Sequence, residues 1–394
     1  MPDHEVMFGA SLGQWNGADA ADAAGRIKLA TQADRDGLDL FTVADHPYFG
    51  NKLDAYALTG FLLGQTERIT GMVTVTNLPS RPAPVLARTL TSLSALSGGR
   101  VILGIGAGAI WDMITKLGVP RLDGGAAVRA MAEAITLVRA LSGGGDLVTF
   151  AGDFYQVSEL DPAAAPTPKV FTGSVGPKSL AVTGQLADGW IPPMGSDWLS
   201  QLYRESRPRV DAAATAAGRD PADVADVYNF GGRITAEPLA ATRGEDGRWI
   251  GGSAQQWADE LTTAVREHHA AGFIYRNTDE ETPDDVALAR WAREIVPAVR
   301  EAVNRTSSLC ERPGAGHTRR PSHTGGCRVK LSAESTRPGA ATARPGPRLQ
   351  RSDRHALHTL RPPGWPTRSR ARARRRSGPS TSRRARRRTA SISS

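Results

Sequence analysis

Short apolar runs alternate with longer segments of helical periodicity along residues 6–304. The runs Val6–Leu12, Leu40–Ala44, Ile69–Val75, Val101–Gly106, Lys169–Gly173, Gly189–Ile191, Val227–Ile234 and Phe273–Tyr275 predict strands. Several are apolar almost throughout, as strands covered on both faces are. The segments Ala20–Asp36, Ala55–Thr66, Pro84–Leu96, Ala126–Leu141, Pro177–Leu186, Trp198–Ala217, Ala254–Ala271 and Pro283–Asn304 predict helices. In Ala126–Leu141, for example, Val128, Met131, Ile135 and Val138 recur at helical spacing. Eight strand–helix pairs point to an α/β fold, a closed (β/α)8 TIM barrel. A doubly wound open sheet is the rival. It predicts fewer strands and a glycine-rich fingerprint after the first, where the chain has Ser11-Leu12-Gly13-Gln14. Two insertion segments interrupt the alternation. Leu147–Val157 reads as a hairpin turning at Ala151-Gly152-Asp153, and Ala236–Gly252 is a glycine- and charge-rich excursion before the seventh helix.

The pattern stops after Arg305. Residues 306–394 are dominated by Arg, Pro, Ser, Gly and Thr, with runs such as Arg374-Arg375-Arg376 and Arg386-Arg387-Arg388. Such a segment buries too little surface to offset its chain entropy, so a disordered tail is expected behind a domain of residues 1–305. Charge divides at the same point. The tail holds 22 Lys and Arg against 3 acids, which leaves the body at −10 and the tail at +19. The basic balance of the whole chain is therefore no argument that the folded body binds nucleic acid. The tail alone reads either as an arm for polyanions or as an appendage, such as an out-of-frame extension.

Cys310 and Cys327 both lie in that tail, so the body has no disulfide or thiolate metal site, in keeping with a reducing cytoplasm. Asp3 and Glu5 stand where a signal peptide would be basic, and no stretch approaches the ~20 apolar residues of a membrane helix. A soluble cytoplasmic protein acting on a small molecule, with no membrane partner, is the expectation.

Candidate chemistry gathers at the carboxyl ends of the predicted strands, which share one face in a barrel. Asp45-His46 follows the second strand, Gly104-Ile105-Gly106-Ala107-Gly108 closes the fourth, Gly173-Ser174-Val175-Gly176 follows the fifth, and Pro192-Pro193 the sixth. His46 beside Asp45 is an acid–base candidate near neutral pH, against the alternative of a histidine satisfied by loop hydrogen bonds. The glycine loops let backbone approach a ligand and offer N–H groups to phosphate, and the fifth runs straight into a helix N-terminus. Each loop alone could equally be a tight turn. No His, Asp or Glu cluster has metal-ligand spacing, and no nucleophile elbow is present.

Three stretches resemble the luciferase-like monooxygenase superfamily, in the family's order and spacing: Leu40-Phe41-Thr42-Val43-Ala44-Asp45-His46, Ser97-Gly98-Gly99-Arg100 continuing to Gly108, and Leu186-Ala187-Asp188-Gly189-Trp190-Ile191. The chain is most similar to its branch that uses the deazaflavin coenzyme F420, with FMN users as neighbours. The resemblance implies a barrel with an insertion region, usually a homodimer, holding F420 (or FMN) across the strand ends. It implies catalytic roles for His46 and Asp45. A non-prolyl cis peptide backing the ring falls by position at Val73–Thr74. The phosphate and tail fall to Gly106, Ala107 and Gly108 together with Gly173, Ser174, Val175 and Gly176. Sugar-phosphate dehydrogenases of the family carry a Glu after the fourth-strand glycines and a Trp shortly after the His. Ala109 stands at the first place and the Trp is missing, which argues against glucose 6-phosphate and leaves the substrate open.

Overall fold

The computed structural model describes residues 6–12, 23–193 and 195–310; the expected tail beyond them lies outside the described residues. Eight strands run β1 (Met7–Ser11), β2 (Leu40–Val43), β3 (Thr70–Val73), β4 (Val101–Gly106), β5 (Val170–Thr172), β6 (Gly189–Trp190), β7 (Ala225–Thr235) and β8 (Ala270–Asn277). Each pairs in parallel with the next, and β8 pairs with β1 from Met7↔Gly272 to Ala10↔Tyr275, so the barrel closes. The helices are α1 (Ala23–Arg35), α2 (Ala55–Gly64), α3 (Ala83–Ser97), α4 (Gly124–Ala140), α5 (Pro177–Leu186), α6 (Gln201–Ala216) and α7 (Ala254–His268). After them α8 (Asp284–Arg290) passes through a π turn at Trp291–Ile295 into α9 (Val296–Cys310). This is the expected TIM barrel.

Strand alternation sorts side chains to two sides. One inward residue comes from β1 to β8 in turn: Met7, Leu40, Met72, Ile102, Phe171, Ile191 just past β6, Val227 and Ile274. Together with Val75 they make an apolar layer that plugs the barrel. Outward residues such as Phe8, Phe41, Val73, Leu103, Tyr228, Phe273 and Tyr275 pack in the larger core under the helices. Each such Leu, Ile or Phe contributes about 1.5–3 kcal/mol of burial.

Side-chain caps set where several helices begin. Asp54 accepts from the amides of Tyr56 and Ala57 to start α2, Asp123 accepts from Ala126 to start α4, and Ser253 with Gln256 forms a capping box on α7. Part of what carries the family resemblance holds the amino-terminal face. Arg100 donates to the carbonyls of Leu63, Thr66 and Ile69, tying the end of α2 to the start of β3. Asp188 takes both Arg139 Nη2 and the Val170 amide.

The structure departs from the sequence pattern at four places. The third strand ends at Val73 instead of running to Val75; the Thr74–Val75 peptide that follows is cis, and pairing resumes at Thr76–Asn77 against Ile105 and Gly106. Trp198, expected in the sixth helix, precedes it. The Ser200 hydroxyl caps α6, and Trp198 is buried edge-on against Tyr228, Phe230 and Phe273. The seventh helix stops three residues short of Ala271, since His269 turns left-handed (φ 55°) and releases Ala270 into β8. The last helix continues to Cys310, past the expected boundary at Arg305. The hairpin insertion is present as Val148–Ala151 paired with Gln156–Leu160. The excursion ends in Gly251–Ser253, which pairs with β7 at Arg233–Thr235.

Candidate active site

The carboxyl ends of the strands open into a cavity of about 1240 Å³. Ala44, Asp45 and His46 carry β2 into its wall. Asp45 is buried. It accepts from the Asn77 amide at 3.0 Å and from Arg81 Nε and Nη2 at 2.8 and 2.6 Å. Arg81 also bridges to Asp54 at 2.7 Å and lies over the Tyr56 ring. Three donors, the Asn77 amide and two guanidinium nitrogens of Arg81, hold this carboxylate in one orientation. Asp45 thereby ties the backbone next to His46 to Asn77 and Arg81, a positioning contact beside the expected catalytic pair.

His46 is partly buried. Its Nδ1 lies 2.7 Å from the Tyr48 hydroxyl, and its ring packs on those of Tyr48 and Phe49. Burial holds the imidazole below its ordinary pKa; the Asp45 charge opposes this and Lys52 adds to it. The ring is therefore neutral at pH 7. Burial and then the Asp45 charge raise the Tyr48 phenol, which stays protonated beside it.

Thr74 and Val75 form the next part of the wall. A Cβ at Gly106 would stand 2.9 Å from Val75 Cγ2, and one at Gly173 would stand 3.1 Å from Val75 Cγ1. These glycines make room for Val75. Val73 is corrected as a site residue: it keeps register with Val43, is 1% exposed in the outer core, and is absent from the cavity wall. The cis peptide expected at Val73–Thr74 is one bond further on.

Ala107, Gly108, Ser174, Val175 and Gly176 line the cavity as well. Gly108 has φ +105°, and a Cβ there would meet Pro79 Cγ at 2.7 Å. Ser174 is spent on the turn, its carbonyl accepting from Trp190 and its hydroxyl from Thr183. Gly176 begins α5 with no side-chain cap, Pro177 follows it, and Lys178 and Ser179 face the cavity. The first-turn amides and the lysine suit an anion.

The facing wall comes from β7 and β8, through Asn229, Phe230, Gly231 and Arg276, and from the excursion, through Arg248, Trp249 and Ile250. The excursion is a small hairpin closed by the Arg243–Trp249 bridge. Arg243 holds it down, donating to Asp197 at 2.6 Å and to Glu260, with its guanidinium over the rings of Trp198 and Trp249. Sequence reasoning missed Tyr48, Val75, Asn77, Arg81, Lys178, Trp249 and Arg276. Of these, only Arg276 carried a usable signal, as the position two residues beyond inward Ile274 at a strand end. Among the described residues no helix is long and apolar enough to cross a membrane, and no group of His, Cys, Asp and Glu could hold a metal ion.

A closed barrel with a plugged floor and a glycine-walled cavity at the strand ends defines a TIM-barrel ligand-binding protein of the enzyme type. Residues 5–305 match the luciferase-like monooxygenase family model, and the chain belongs to that family. An F420-dependent glucose-6-phosphate dehydrogenase of Microbacterium testaceum is 31% identical over 207 residues, 50% of this chain and 60% of that enzyme. The chain thus spans well under two thirds of that relative. One from Beutenbergia cavernae is 27% identical over 69% of this chain and 91% of its own length. An F420-dependent hydroxymycolic acid dehydrogenase of Mycobacterium tuberculosis is 29% identical over 55% of this chain and 56% of that protein. Among solved structures, an F420-dependent secondary alcohol dehydrogenase shares the fold with a TM-score of 0.61 at 18% identity, covering 75% of this chain and 99% of that one.

Proposed function

We propose that the protein is an F420-dependent oxidoreductase that exchanges a hydride with a small organic substrate, with His46 handling the accompanying proton. The observation that carries this is the bed made by Val75 between Gly106 and Gly173, in one cavity with His46 and with the uncapped start of α5. The donor set fits a flat ring with an anionic tail. Val75 would offer an apolar group to such a ring, and the first-turn amides of α5 and Lys178 would offer donors to its tail. The relatives named as F420-dependent support the deazaflavin over FMN.

When bound, the deazaflavin supplies the hydride-exchanging carbon. The chain's own residues do the rest. Val75 would back the ring, and Gly176 and Lys178 would hold the tail. His46, neutral at pH 7, accepts the hydroxyl proton of a substrate being oxidised, or, once protonated, returns it to a carbonyl oxygen in reduction. Ala109 brings only a methyl group to the cavity wall, so no carboxylic acid assists from that position.

Titration of the full chain with F420 and separately with FMN, followed by cofactor fluorescence, tests the reading. Saturable binding of F420 at micromolar concentration, with FMN binding far more weakly, is the expected result. The reverse order would make the protein an FMN-dependent oxygenase of the same family.

A further inference from the structure

Arg276 occupies an unusual place in this cavity. On β8 the positions of Gly272, Ile274 and Arg276 share the inward face, and Ile274 belongs to the apolar plug. Arg276 is the next inward position toward the carboxyl end, so the strand lifts a guanidinium directly above the plug at the cavity mouth. Its register partner on β7 is Gly231, where a Cβ would come within 3.2 Å of Arg276 Nη2. The absence of a side chain there is what lets the guanidinium lie across the neighbouring strand.

The other cations of the site are differently employed. Arg248 pairs with Asp246 at 3.4 Å on the hairpin tip, and Arg243 is spent on Asp197 and Glu260. Lys178 belongs to the start of α5, on the far side of the barrel. For Arg276, no side-chain hydrogen bond or ion pair is formed among the described residues. The order of strands separates the two halves of the rim. Val75, Gly106 and Gly173 stand on the β3–β5 side, while Gly231, Arg276, Ser11 and His46 follow one another around β7, β8, β1 and β2.

We infer that Arg276 recognises the substrate, and that the substrate carries an oxyanion group, carboxylate or phosphate, which the guanidinium takes in a two-point contact while His46 faces the reacting carbon. This rests on the proposed function for the identity of the reacting partner, but its binding test does not. A planar guanidinium fits both oxyanions, and an ammonium in its place keeps the charge and loses the fork.

The test is calorimetric titration of the full chain, at fixed ionic strength, with inorganic phosphate and with malonate. The same titrations are made on Arg276→Met and Arg276→Lys, and each protein is also titrated with F420. Loss of a charge-assisted pair of hydrogen bonds should weaken the preferred anion by about tenfold or more in Arg276→Met, with partial recovery in Arg276→Lys. F420 affinity should be unchanged in both variants, which also shows that they are folded. The anion that responds tells whether the substrate is a carboxylate or a phosphate. Equal anion binding by wild type and Arg276→Met overturns the inference, as does the absence of any anion binding that depends on residue 276. Failure of wild type to bind F420 would remove the proposed function and leave the anion result standing.

Discussion

His46 sits where a proton must move, and its surroundings decide when it can. Because burial depresses its pKa below the ordinary value of about 6.5, the imidazole is already an acceptor at neutral pH. In the oxidising direction kcat/KM should therefore be flat from neutrality downward and fall only as pH drops through that lowered value, where the ring becomes protonated. His46→Ala should lose this acid limb and lower turnover by about 10²–10⁴, with F420 affinity within a few fold. An unchanged pH–rate profile would mark His46 as a structural histidine. The residue pair was legible in the sequence, but the division of labour was not. Nothing along the chain announces that Arg81, thirty-six positions on, clamps Asp45 with two hydrogen bonds.

At the level of elements, strands and helices were readable because a parallel barrel leaves a strong signature: continuous apolar runs, then amphipathic stretches. What escaped was set by tertiary contacts. Trp198 has helical neighbours in sequence but a better place edge-on among Tyr228, Phe230 and Phe273. The third-strand residues were one position out because a break in the ladder reverses the alternation that a continuous run implies. Val75 points where an unbroken strand would put its neighbour. The glycine loops were found, though two of the glycines serve Val75 as much as any ligand. Gly176 is different. Its φ of −82° suits any residue, and the nearest atom to a Cβ there is Ser179 Oγ at 4.0 Å. Gly176→Asp should leave the melting temperature of the ligand-free protein unchanged or slightly raised, since Asp is a good cap. Its carboxylate would repel an anionic tail, so F420 affinity should fall at least about tenfold, while a ring fragment without the phosphate should bind as before. Equal losses for both ligands, measured by fluorescence titration, would place this loop against the ring instead.

At the scale of the whole molecule, the core of the described residues reaches into α9. Val296 and Val299 are buried against the barrel's helices, and no periodic apolar positions follow in the sequence after Arg305. A chain ended after Cys310 should keep the full helical circular-dichroism signal and a cooperative melt. A molten product would show that the basic segment contributes to the core. The apolar plug has a consequence of another kind. With this apolar layer closing the floor, the cavity that holds Val75 opens, among the described residues, at the carboxyl ends of the strands. A compound lying against Val75 beneath its reaction partner would share that opening with it, so ordered binding, the deeper compound entering first and leaving last, is the expected kinetic pattern.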